Sequence, residues 1–135
     1  MDDSSAAAGG RILVVDDDPV GARYVMQILG KRGGFEVSHA ADPATGLALA
    51  GSEPWDLVLA DVEMPDMSGD QLLTELRRTS PGIPVALLTS HQPTDSAVSA
   101  LRGRADGFLA KPVPPGDLID AVTALVAKGR AARGS

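Results

Sequence analysis

Residues 12–19 read Ile-Leu-Val-Val-Asp-Asp-Asp-Pro, and the fold turns on how this stretch is read. Four consecutive aliphatic residues without polar alternation fit a strand buried on both faces, as in a parallel sheet. Asp18 followed by Pro19 then supplies an N-cap carboxylate and a first helical residue whose missing N–H costs nothing. Strand gives way to helix across three carboxylates.

The same alternation recurs outward from there. Apolar runs at Ile12 to Val15, Phe35 to His39, Leu57 to Ala60, Val85 to Leu88 and Phe108 to Ala110 alternate with five segments of helical period. That is the pattern of a parallel sheet covered by helices on both faces. The second run has the least distinct pattern. Asp42-Pro43 starts the second helix as Asp18-Pro19 starts the first, Ser68 caps the third and Thr94 the fourth. Leu72, Leu73 and Leu76 form a core stripe on the third, Ala97, Val98 and Leu101 face inward on the fourth, and Leu118, Ile119, Val122, Leu125 and Val126 mark the fifth. Gly30, Gly33 and Gly34 end the first helix, and Pro81 and Pro84 frame the entry to strand four.

Composition narrows the class. The chain has 135 residues, 44% hydrophobic and 22% charged, with a net charge of -6 and no cysteine. A length of this order supports one core without staples. Residues 1–10 and 129–135 are small, polar and aperiodic and are expected to be tails, the second a tail or the start of a linker, around a domain at 11–128. No apolar run approaches the ~18 residues of a membrane span, and no leader pattern is present, so a soluble cytoplasmic protein is expected. Without cysteine, thiol catalysis and thiolate-bound zinc are excluded, and any metal must be held by oxygen. The acidic balance argues against nucleic acid as partner, since the basic cluster is confined to Lys128, Arg130 and Arg133.

Ligands of open parallel sheets bind outside the carboxyl ends of the strands. The residues there are Asp16, Asp17 and Asp18 after strand one, Asp61 after strand three, Thr89 after strand four and Lys111 after strand five. Close carboxylates repel, and a hard divalent ion, Mg²⁺ by preference with Mn²⁺ as a substitute, relieves the repulsion. A lysine at the same place competes with a metal, but suits a phosphoryl group shared between metal and ammonium. Asp18 reads as a helix cap and Trp55 as packing. His39 and His91 do not read as metal ligands.

Four segments, ILVVDDDP (12–19), DLVLADVEMPDMSG (56–69), VALLTS (85–90) and FLAKP (108–112), resemble the signature stretches of response-regulator receiver domains, in order and at the usual separations. The resemblance spans most of the chain. It implies a flavodoxin-like α/β fold, (βα)5, with strand order 2-1-3-4-5, and a cis peptide before Pro112. It implies Asp61 as phosphoacceptor, Asp17 as direct metal ligand, Asp16 holding the metal's water, and the Glu63 backbone carbonyl completing the set. Lys111 resembles the phosphate-pairing lysine, Thr89 the switch hydroxyl and Phe108 the switch aromatic, while Glu63 and His91 hold the positions that tune dephosphorylation. The implied partner is a sensor histidine kinase or phosphotransfer protein, with homodimerisation or an output domain engaged through the fourth helix, fifth strand and fifth helix. Such a domain catalyses its own phosphorylation and dephosphorylation without being a conventional enzyme.

The chain also departs from the pattern. Phe108 lacks the hydroxyl of the commoner tyrosine, and Ala121 replaces an arginine typical of the dimerising transcription-factor branch. Two alternatives stay open. One is a receiver-like interaction module that is never phosphorylated. The other reads Asp16 to Val20 as D-x-D-x-V, similar to haloacid-dehalogenase-type phosphohydrolases with Asp16 as nucleophile, for which Asp106 and Asp117 are the late acids available. No Walker A loop or GxGxxG supports nucleotide binding.

Overall fold

The structure, a computed structural model, describes residues 10–90 and 103–134. The elements run β1 (Arg11–Val15), α1 (Pro19–Gln27), β2 (Glu36–Ala40), α2 (Pro43–Ser52), β3 (Leu57–Asp61), α3 (Gly69–Thr79), β4 (Val85–Thr89), β5 (Gly107–Ala110) and α4 (Pro115–Gly134). Helix α4 is the fifth helical segment of the sequence; the fourth, with Thr94, Ala97, Val98 and Leu101, lies outside the described residues, as does His91.

All strand pairs are parallel, in the order β2-β1-β3-β4-β5, as the resemblance implied. Successive strand residues point to opposite faces, which sorts the core into two layers. Ile12, Val14, Leu57, Leu59, Ala86 and Leu88 pack with Ala22, Val25, Leu29, Leu118, Val122 and Val126 of α1, the turn after it and α4. Leu13, Val15, Val58, Ala60, Val85 and Leu87 pack with Ala50, Leu72, Leu73 and Leu76 of α2 and α3. Each fully buried leucine here contributes about 1.5–3 kcal/mol, so the central strands form a rigid base for whatever their ends carry. Close approach sets α2: a Cβ on Gly46 would sit 2.8 Å from the Val15 side chain.

Helix starts follow the caps expected. Asp18 accepts from the Val20 N–H, Asp42 from the Thr45 N–H, and Ser68 and Gln71 form a reciprocal capping box. Burial of Trp55, whose Nε1 donates to the Leu49 carbonyl at 2.8 Å, agrees with its packing role.

Several boundaries differ from expectation. Gly30 does not end the first helix: the chain continues through one wider π turn, Ile28–Arg32, and stops at Gly33 and Gly34, the latter at φ +75. Phe35 lies outside β2, because its N–H closes that turn onto the Leu29 carbonyl at 3.0 Å. Strands three and four each extend one residue further, so Asp61 and Thr89 are terminal strand residues. The last helix runs on past Lys128 to Gly134, and the Arg130 guanidinium faces Asp56 at 3.2 Å, where the sequence suggested a solvated tail.

Candidate functional site

Three strand ends bring the acidic and basic residues together. Asp16 continues the β1 ladder, its N–H donating to the Ala40 carbonyl at 3.0 Å. Asp61 closes β3. Lys111 follows β5, and its N–H donates to the Thr89 carbonyl at 2.7 Å. Backbone pairing therefore fixes all three positions before any side chain is considered.

The side chains converge. One carboxylate oxygen each from Asp16, Asp17 and Asp61 lies within 4.8 Å of the others, with Asp16 and Asp61 buried and Asp17 exposed. The Lys111 ammonium stands 3.3 Å from Asp61 Oδ2 and 3.5 Å from Asp16 Oδ2. Asp61 Oδ1 accepts the Glu63 N–H, and Asp16 Oδ1 accepts the Asp18 N–H, both at 2.9 Å. Asp16 Oδ2, although buried, has no hydrogen-bond partner.

Burial pushes the Asp16 carboxyl above the usual carboxylate range, aided by the negative charge of Asp61 and opposed by the Asp18 N–H and Lys111. Lys111 is disfavoured as an ammonium by its own burial, but the charges of Asp61 and Asp16 outweigh that and hold its pKa above the ordinary lysine value. A buried, orphaned carboxylate oxygen facing two further carboxylates fits a hard divalent cation, whose ligands are oxygens and whose charge would relieve the repulsion. The donor set accordingly fits an Mg²⁺-type ion.

Thr89 is fully buried, and its hydroxyl donates to Glu63 Oε2 at a long 3.4 Å. Ser90 Oγ donates to the same carboxylate at 2.8 and 2.9 Å. Phe108 is half-buried against the α2 and α3 core layer. The Lys111-Pro112 peptide is cis, and Tyr24 Oη on α1 donates to the Val113 carbonyl just beyond it at 2.9 Å. Asp18 does cap α1. Asp106 lies at the opposite end of the sheet, where it accepts from Arg77 and from the Val85 N–H, and Asp117 is exposed in the first turn of α4.

Two contacts were not foreseen from sequence. His39 Nε2 lies 2.7 Å from the Asp16 backbone carbonyl; a carbonyl can only accept, so Nε2 carries the proton and holds the end of β1 from behind the carboxylates. The Glu63 side chain bridges to β4 as described. A histidine one strand over from the acids was the available signal for the first. Nothing local marked the second.

Similarity to known proteins agrees with this geometry. A family profile described as response regulator receiver domain matches residues 12–123. The chain is 38% identical over 114 residues to the transcriptional regulatory protein GlrR of Escherichia coli K12, covering 82% of this chain and 25% of that protein. It is 38% identical over 101 residues to the probable transcriptional regulatory protein TcrX of Mycobacterium tuberculosis, covering 75% and 43%. It superposes with TM-score 0.80 and 34% identity on a CheY-like response regulator receiver domain protein from Methanospirillum hungatei, covering 90% of this chain and 97% of that one. The chain thus spans a quarter to under half of these two curated relatives.

Proposed function

The chain belongs to the response regulator receiver domain family, and from that premise we propose that it accepts a phosphoryl group on Asp61 and changes the surface it presents to partners. The observation that carries this reading is the Lys111 ammonium 3.3 Å from Asp61 Oδ2, beside an acidic cluster within 4.8 Å. In the transfer, an Asp61 carboxylate oxygen attacks phosphorus, the P–N bond of a phosphohistidine breaks, and the leaving imidazole keeps the bonding pair and takes a proton. Asp16, Asp17, Asp61 and the Glu63 backbone carbonyl are the residues proposed to hold Mg²⁺, or Mn²⁺ in its place. Bound there, the ion supplies charge neutralisation for the phosphoryl oxygens.

Lys111 pairs with an equatorial phosphoryl oxygen and Thr89 donates its hydroxyl to another. Phe108 then responds by packing alone, since it has no hydroxyl to bond. Glu63 and His91 set how long the phosphoryl group survives. The phosphodonor is a sensor histidine kinase or phosphotransfer protein in the cytoplasm, and the output passes through residues 94–128 to a second copy or a further domain. No helix among the described residues is long and apolar enough to cross a membrane.

Incubation with phosphoramidate and Mg²⁺ should add one phosphoryl mass, acid-stable and base-labile, located on Asp61, with Asp61→Asn losing it. Undiminished labelling of that variant, or a label found on Asp16, would end this reading.

A further inference from the structure

Beside Asp61, the end of β4 presents a set of donors: the Thr89 hydroxyl, the Ser90 N–H and the Ser90 hydroxyl. In this structure they converge on one anion that belongs to the protein itself. Glu63 Oε1 and Oε2 accept from Ser90 Oγ at 2.9 and 2.8 Å, from Ser90 N at 3.3 Å each, and Oε2 accepts from Thr89 Oγ1 at 3.4 Å. The Glu63 backbone is held separately, its N–H donating to Asp61 Oδ1 at 2.9 Å. Side chain and main chain of one residue therefore tie the ends of β3 and β4 together across the site.

We propose that the Glu63 carboxylate is a resident stand-in for the phosphoryl group, occupying the donors at the end of β4 that an aspartyl phosphate on Asp61 must recruit, so that it latches the unphosphorylated state. The inference rests on the phosphoacceptor reading and adds to it a competition within the protein.

The chemistry supports a competitor and not merely a surface contact. A carboxylate, like a phosphoryl oxygen, is an acceptor-only anion, and hydrogen bonds to it are charge-assisted and stronger than neutral ones. Thr89 is fully buried, so its hydroxyl cannot exchange Glu63 for water without cost. A phosphoryl group of charge about -2 also repels the carboxylate it would displace. Switching thus requires Glu63 to leave as Thr89 and Ser90 turn toward Asp61, and any partner that draws Glu63 away favours the phosphorylated arrangement.

The test is equilibrium binding of beryllium fluoride with Mg²⁺ to the whole chain, followed by NMR, for wild type, Glu63→Gln and Ser90→Ala. Neither substitution removes the Glu63 N–H to Asp61. Glu63→Gln keeps the shape and removes the charge, and should lower the Kd about tenfold, the worth of a weakened charge-assisted bond. Ser90→Ala removes the shortest latch contact but also a donor that the fluoride recruits, so its Kd should fall less than that of Glu63→Gln or stay level. A merely structural contact would lower the melting temperature of both variants and leave the Kd of Glu63→Gln unchanged or raised, and that result overturns the latch. Because binding is read at equilibrium, water attack on a phosphate plays no part. If neither wild type nor either variant binds the fluoride, the phosphoacceptor reading itself falls. In the wild type alone, saturation should shift the Glu63 carboxyl and Ser90 amide resonances together; their indifference overturns the latch even if a variant fails to fold.

Discussion

At the amino ends of the strands, Asp56 accepts the Arg11 N–H at 2.8 Å and faces the Arg130 guanidinium at 3.2 Å, while Asp106 accepts the Val85 N–H at 2.8 Å and pairs with Arg77 at 2.9 Å. Arg11 lies 4.4 Å over the Trp55 ring and reaches Glu53 at 2.8 Å. At the carboxyl ends Asp16, Asp17 and Asp61 crowd together, Lys111 stands between two of them, and a buried oxygen of Asp16 goes without a hydrogen bond. The residue types match; the satisfaction does not. At the base Asp56 and Asp106 each meet a backbone donor and a guanidinium, the arrangement that makes a charge tolerable where water is scarce. At the rim repulsion is left standing, held in place by the two core layers. Such unrelieved polar groups mark a site where a ligand completes the set.

The contrast can be broken most directly with metal. Mg²⁺ at about a hundred times its Kd should add about 2.7 kcal/mol to the stability of a protein that binds it only when folded. Asp17→Asn should lose most of that gain, while Asp56→Ala should keep it. Thermal melts in EDTA and in Mg²⁺ measure this, and melts that ignore the metal would remove the acidic cluster from consideration as a cation site.

A base without its acid should suffer next. Asp56→Ala strands the Arg11 N–H and the Arg130 guanidinium, and leaving such donors unpaired costs about 2 kcal/mol. Urea denaturation should show that loss with or without Mg²⁺. A loss appearing only in the presence of metal would mean that the two ends are coupled and not separate.

At the rim the sign reverses. Asp16→Asn should stabilise the metal-free protein by about 1 kcal/mol, because it removes a buried charge that lacks a full partner set. Since burial raises the folded pKa of Asp16, the native state takes up the proton before the unfolded chain does. This group's contribution therefore improves as pH falls through the folded value and levels off below the ordinary carboxylate range. Lys111 works at the other extreme: with its folded pKa raised by Asp61 and Asp16 against its burial, its contribution is present at neutral pH and lost only as pH rises past the ordinary lysine value. In EDTA, melting temperatures of wild type and Asp16→Asn should converge on mild acidification. A gap that stays constant from neutral pH downward would show that Asp16 is not the group responsible.

What sequence disclosed follows the same division. Strand runs, caps and the rim acids were legible because each is encoded locally: four aliphatics in a row, an Asp before a Pro, an acid at a strand end. Ala121 and Phe108 could be seen to depart from a pattern for the same reason. The π turn through Gly30 was not legible, since Phe35 closes it only once β2 has docked. Arg130, His39 and the Glu63 side chain eluded the reading because their partners, Asp56, the Asp16 carbonyl and Ser90, are distant in sequence and brought near only by strand order and, for Arg130, by the packing of α4 on the sheet. Glu63 could be placed by its offset from Asp61, but not aimed.

The smallest expected effect concerns the end of α4. The Arg130 and Asp56 side chains are 41% and 15% exposed, and ion pairs of that exposure are worth under about 1 kcal/mol, so Arg130→Ala should barely move a melting curve. Local opening is the sharper readout. With the pair removed, amide exchange after Val126, the last large buried residue of α4 among the described residues, should quicken, because the turns beyond it lose their tie to the base of the sheet. Salt separates this end of the molecule from the other. At about 1 M the screening length shrinks to about 3 Å, which weakens the exposed Arg130 pair but reaches the buried Asp16 and Asp61 carboxylates far less. Raising salt in EDTA should therefore speed exchange at the end of α4 and leave it nearly unchanged around Asp16 and Asp61. Equal acceleration of both regions would refute the distinction between a base that is electrostatically satisfied and a rim that waits for its cation.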